Sequence, residues 1–259
     1  MKNLIQNLKS LKKIGVVAVK QSLEDEGASF RDIKIMRKIT KAAKIRLNVK
    51  IGGCEAKNDI FFCKRINVDS IVAPMVESKY ALKKFIQCVG TKNSLSLLVN
   101  LETNLSLKNL NSMIRSKYFK FLDGIVIGRS DLAGSLDLEK KHVNSKRIFN
   151  KVRNSFKKIK KYSKKKIIFK MGGSITPESI EIINKLYSDK LLHRIETRNV
   201  EIKLTKGIIK TLNKTISRAF EFELDWLKYQ LVVNKKDKLV SRNHFFRIRE
   251  IKNRQKILS

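Results

Sequence analysis

The chain has 259 residues, 42% of them hydrophobic, with 58 Lys and Arg against 23 Asp and Glu and a formal net charge of +35. That length and apolar share allow one full core or two small ones and exclude collagen-like, disordered and disulfide-framework classes. The charge would suit an anionic partner, but 43 of the basic residues are Lys, spread over the whole chain without an RNA-binding, helix-turn-helix or zinc-finger pattern.

Lys, Ile and Asn share AT-rich codons, so genome composition can produce the excess without selection for a partner, and no specific nucleic-acid partner is expected. The densest basic run, "KKIKKYSKKK" at 157–166, falls where a helix would end before the next strand. Cys54, Cys63 and Cys88 lack the paired spacing of a zinc site and are expected to be reduced thiols of a cytoplasmic protein.

In chain order, the N-terminus predicts a short basic helix and a first strand, "IGVVAVK". Its apolar run is too short for a bilayer span or a signal peptide, and no membrane association is expected. Six more short apolar runs follow: "RLNVKIGG", "DSIVAPMVE", "SLSLLVNLE", "DGIVIG", "KKIIFKMGG" and "LLHRIETR". Each suits a strand buried on both faces. Between them, 30–43, 79–89 and 107–115 have helical spacing, and Thr176-Pro177-Glu178 opens another helix. The alternation predicts a parallel sheet with crossover helices. Seven strands do not by themselves choose between an open doubly wound sheet and a closed barrel. From about Thr205 to Gln230 the pattern predicts one or two long helices with a strongly apolar side.

Charges then fall at the strand ends: Lys20, Lys50, Glu77, Glu102, Asp131, Lys170, Glu196 and Arg198. In a chain that is 31% charged, several such endings arise by chance. Yet the scarce acids take three consecutive strand ends, and glycines flank them at Gly52, Gly53, Gly128, Gly172 and Gly173. At the carboxyl ends of parallel strands these groups would converge on the rim where α/β enzymes place their sites. Glu102 and Asp131 lie on neighbouring strands, and two carboxylates are what Mg2+ usually takes from protein. A cation held there can chelate a 2-oxo acid and stabilise the enolate formed on carbon–carbon cleavage.

With these residues in place, the sequence resembles the 4-hydroxy-2-oxo-acid aldolase / citrate lyase beta-subunit family of the phosphoenolpyruvate/pyruvate-binding barrel superfamily. "SIVAPMVES" is similar to its V-P-M-V-type strand, "LLVNLET" to its I-E-T strand, and "LDGIVIGRSDLAGSLDL" to its D-G-x-x-I-G-P-x-D-L signature. The helical "NLSLKNLNSM" fits the segment between the last two. The clear likeness covers residues 45–138.

The resemblance implies a TIM-type (β/α)8 barrel, irregular at its N-terminus because the first strand of the family barrel is missing or reduced to the N-terminal helix. Residues 1–204 would form the barrel, and 205–259 a helical extension on the barrel or a neighbouring subunit of a homo-oligomer. It implies a lyase acting on a 2-oxo acid or acyl-CoA through an enolate, with Glu102 and Asp131 holding Mg2+ or Mn2+. The backbone of Gly128, Arg129 and Ser130 would grip the substrate carboxylate, and Lys50 stands where the family has an enolate-steadying arginine. Lys170 and Arg198 are expected to orient a distal anionic group.

Three departures stand out. Lys50 is a compact charge and not a planar fork, and Arg129 replaces a proline. The family's D-G-E-H histidine is absent from "EDEGAS", leaving Lys20 or Glu26 as acid/base candidates. The missing histidine keeps a second reading open, a degenerate barrel that binds an anionic metabolite or partner without turnover.

Overall fold

The crossover helices start at residues whose side chains satisfy the otherwise unpaired amides of a first turn. Ser29 and Asp32 form a reciprocal capping box before the helix Phe30–Ala43. Ser78, Thr103 and Ser145 cap the helices that begin at Lys79, Asn104 and Lys146. Behind each cap an apolar stripe is buried, such as Ile33, Met36 and Ile39 in the first of these, and the strands between present almost no exposed residue.

The computed structural model describes residues 1–24, 27–233 and 238–256. Its strands are β1 (Val16–Ser22), β2 (Arg46–Lys50), β3 (Ser70–Ala73), β4 (Ser96–Asn100), β5 (Gly124–Gly128), β6 (Ile168–Gly172), β7 (Arg194–Glu196) and β8 (Val200–Lys203). They close into a barrel in sequence order. β1 to β7 pair in parallel, and β8 runs antiparallel to both β7 and β1.

The structure thus corrects the count of seven strands. β8 escaped because "VEIK" is short and alternates apolar with charged, unlike the continuous apolar runs of the parallel strands. Val200 and Ile202 join the large core, while Glu201 faces the lumen. The N-terminal segment supplies a helix, Lys2–Lys13, and only one strand, so the ring is completed from the other end of the chain.

The helix Leu212–Val233 holds that closure in place. It buries Ile216, Phe220, Phe222 and Trp226, and Asn7 of the N-terminal helix donates to its Asp225 at 3.2 Å. Its fully buried Glu223 accepts from Thr197 Oγ1 at 2.5 Å and from the Asn199 amide at 2.9 Å. A buried charge accepting two hydrogen bonds in this way fixes the β7–β8 turn.

The lumen has two unlike halves. Val72, Leu98 and Val126 form a small apolar cluster on β3, β4 and β5. Opposite, Ser70 donates to Asn48 Oδ1, and Asn48 Nδ2 donates to Glu201 Oε2 at 2.5 Å. Lys170 and Arg194 reach the two oxygens of Glu201, each at 2.5 Å. The Asn48–Glu201 bond joins β2 to β8, which are not neighbours, so it crosses the inside of the ring.

Candidate active site

At the carboxyl ends of the strands a pocket is lined by Lys20, Lys50, Glu102, Asp131, Glu196 and Arg198, with Asn100, Gly128, Ser130, Lys140 and Phe220 among the other walls. Glu102 follows β4 and is 1% exposed. Its Oε1 accepts the Met75 amide at 3.1 Å and its Oε2 accepts Asn100 Nδ2 at 2.8 Å. Burial pushes its carboxyl above the usual range, Lys50 offsets part of that, and Asp131 adds to it.

Lys50, at the end of β2, lies with Nζ 3.6 Å from Glu102 and 2.5 Å from Glu24. Asp131 is exposed, on the short helix Arg129–Gly134 that follows β5. A Cβ on Gly128 would come within 2.7 Å of Glu102 Oε2 and 3.7 Å of Asp131 Oδ2. Glycine there leaves one shared space before both carboxylates. Gly173 matters similarly: its φ is +77°, and a Cβ would strike the Ser130 and Arg129 amide nitrogens at 2.5 and 2.6 Å.

Two basic side chains turn away from the pocket, that of Arg129, whose backbone was the expected binding group, and that of Lys170. The Arg129 side chain is 0% exposed and turned into the protein. It donates to the carbonyls of Gly172, Gly173 and Ser174, to Asn144 Oδ1 at 2.6 Å and to Ser179 Oγ at 3.1 Å. It therefore clamps the loop after β6 to the start of the helix after β5, and its charge does not line the pocket. Burial lowers its guanidinium to about 10. A planar fork with five donors suits this many carbonyls.

Lys170 is also removed from any distal substrate group. It is 2% exposed and pairs in the lumen with Glu201 at 2.5 Å and Glu196 at 3.5 Å. A side chain pointing inward from mid-strand stays inside the barrel, whatever charge it carries. Glu77 lies off the pocket too, accepting from Thr103 Oγ1 at 2.5 Å.

The remaining candidates stand together at the rim. Lys20 approaches Glu196 at 3.7 Å on the wall formed by β1 and β7. Arg198 lies just beyond β7, and Ser130 Oγ is 3.0 Å from Ser174 Oγ. Glu26 lies outside the described residues. The sequence reading gave no role to Glu24, Asn100, Lys140, Phe220 or Glu201. Only Asn100 had a legible signal, as a polar residue near the end of a strand-like run.

Among the described residues no group of three or more His, Cys, Asp or Glu converges as a metal cluster. Glu102 and Asp131 nevertheless suit a hard divalent cation: both are oxygen donors, they share the space that Gly128 leaves, and Asp131 helps raise the Glu102 carboxyl as a like charge does.

The sequence matches the family HpcH/HpaI aldolase/citrate lyase over residues 28–172, a span that holds Lys50, Glu102 and Asp131. The chain belongs to this family. A search of curated proteins finds no relative by sequence. Among solved structures, an HpcH/HpaI aldolase from Desulfitobacterium hafniense DCB-2 is similar at TM-score 0.59 and 11% identity, with 74% of this chain and 81% of that one covered. The citrate synthase SbnG gives TM-score 0.62 at 14% identity, covering 84% and 89%. RipC from Yersinia pestis gives 0.53 at 15%, covering 76% and 87%. At such identities the likeness shows the fold, the α/β barrel of this aldolase/citrate lyase family. No helix among the described residues is long and apolar enough to cross a membrane.

Proposed function

We propose that this aldolase/citrate lyase family member is a divalent-metal-dependent carbon–carbon lyase acting on a 2-oxo acid or acyl-CoA through an enolate. The observation that carries the reading is the pair Glu102 and Asp131 facing one gap before Gly128, with the Lys50 ammonium 3.6 Å from Glu102. These two carboxylates would hold Mg2+ or Mn2+, which supplies Lewis-acid polarisation of the substrate's 2-oxo group. Lys50 places a positive charge beside the oxygen that becomes an enolate. The Gly128–Ser130 backbone, kept clear by Gly173, offers amides to the carboxylate. Lys20 or Glu26 moves the proton. Homo-oligomerisation is proposed through the helix Lys238–Lys256, where Phe245 and Phe246 are 64% and 66% exposed, and mass in solution tests it.

The test is metal-dependent deuterium exchange into the methyl group of pyruvate, with oxaloacetate decarboxylation as a second assay. Exchange in the wild type that is lost in Glu102→Gln and Asp131→Asn supports the reading, and activity surviving those changes overturns the site.

The alternative, a non-catalytic barrel that binds an anionic metabolite or partner, is favoured by one contact. Lys50 lies 2.5 Å from Glu24 as well as near Glu102, so an internal ammonium already compensates these acids. Metal binding without exchange or cleavage of any 2-oxo acid or acyl-CoA would select it.

A further inference from the structure

The helix Lys238–Lys256 is strongly basic, with seven Lys or Arg and a single acid, Glu250. A basic helix beside a basic pocket mouth is repelled unless its one acid is placed against the mouth. That is where Glu250 stands: its Oε1 accepts from Lys140 Nζ at 3.2 Å, and its Oε2 lies 3.9 Å from Arg198 Nη1. Lys140 and Arg198 both line the pocket and reach it from separate loops, after β5 and after β7.

We infer that Lys140 and Arg198 form a second anion subsite at the pocket mouth, and that Glu250 is its built-in occupant. The inference rests on the lyase reading for the first subsite. The occupant is a carboxylate, so the ligand group that replaces it is a carboxylate or a phosphate borne on the far end of the substrate. The bridge suits exchange because it is open to solvent on the Lys140 side and half-buried on the other, with side-chain exposures of 59% for Lys140, 29% for Arg198 and 28% for Glu250. Exposed ion pairs are worth at most about 1 kcal/mol, so an incoming anion displaces one at little cost. A substrate with a single charged end leaves Glu250 in place, and one charged at both ends swaps with it. Lys140 and Arg198 thereby favour elongated, doubly charged substrates, and the last helix holds that preference down through Glu250.

The test is calorimetric binding to the full chain with Mg2+, comparing pyruvate, 2-oxoglutarate, coenzyme A and inorganic phosphate on wild type, Glu250→Gln and the double variant Lys140→Gln/Arg198→Gln. Glu250→Gln is expected to tighten 2-oxoglutarate or coenzyme A about two- to fivefold while leaving pyruvate unchanged. The double variant should lose that preference. A gain for 2-oxoglutarate marks a carboxylate at the subsite, and a gain for coenzyme A marks a phosphate. Equal effects on pyruvate and the doubly charged ligands, or no effect of Glu250→Gln, overturn the subsite while leaving the lyase reading intact. If pyruvate, 2-oxoglutarate and coenzyme A all fail to bind wild type but phosphate binding still tightens in Glu250→Gln, the lyase reading falls and the subsite stands. Binding of none of the four overturns both.

Discussion

Glu102 and Glu201 are buried carboxylates of one barrel, 1% and 0% exposed, and they meet opposite electrostatics. Burial pushes both up. At Glu201 the Lys170 ammonium and the Arg194 guanidinium more than offset it and hold the carboxyl below the usual range. At Glu102 burial prevails over the single Lys50, and Asp131 adds a like charge. The lumen network is therefore electrostatically complete, while at the rim the Glu102 carboxyl is not fully offset. A buried ion group with every partner in place specifies structure. A buried acid facing a second, exposed acid is where a metal would be held with gain. The contrast separates a scaffold from a site within the same ring of strands.

The largest effect should come from breaking the complete half. Glu201→Gln leaves Lys170 and Arg194 facing a neutral amide in the lumen and should cost about 3–5 kcal/mol in urea unfolding. In the apolar half of the lumen, Leu98→Ala should cost about 3 kcal/mol by leaving a cavity beside Val72 and Val126. At the rim, Glu102→Gln removes a strained charge, so stability should change by less than about 1 kcal/mol. Its Mn2+ affinity, read by titration, should still fall at least about tenfold. An equal stability loss in the two glutamate variants would erase the contrast.

The smallest effect is a slope in pH, with opposite signs at the two acids. The lowered Glu201 contributes stability that is present above the usual carboxylate value and lost as pH falls through its folded value. The raised Glu102 contributes stability that is present below the usual value and lost as pH rises through its folded value. Mn2+ needs the ionised form, so its binding should strengthen over that same rise and the metal should recover the lost stability. Urea midpoints against pH, with and without Mn2+, for wild type and Glu102→Gln measure both slopes.

How far the chain could be read follows from where each residue points. Buried parallel strands announce themselves as apolar runs, so β1 to β7 were legible, and the cap and proline at Thr176-Pro177 marked where a helix begins. Charges at strand ends could be placed on one rim because parallel strands leave no other direction. Lys20, Lys50, Glu102 and Asp131 meet there. What sequence does not carry is side-chain direction. Arg129 follows its strand immediately yet turns inward to five acceptors, and Lys170 belongs to the lumen. β8 hid for a related reason: its single lumen residue is an acid, so its pattern resembled a loop until Lys170 and Arg194 were seen to meet it.

The antiparallel closing strand also shapes how the protein comes into being. The turn before β8 reaches back to the end of β1 across 179 residues, through Asn199 Nδ2 and the Lys20 carbonyl. Until the ribosome has delivered that segment, β1 and β7 are open edges with nothing on their outer sides. Closing the ring is a long-range event that cannot begin early, and such events are slow. Glu223, made later still, then secures the turn. A nascent chain halted before residue 200 holds nearly the whole barrel and can never shut it.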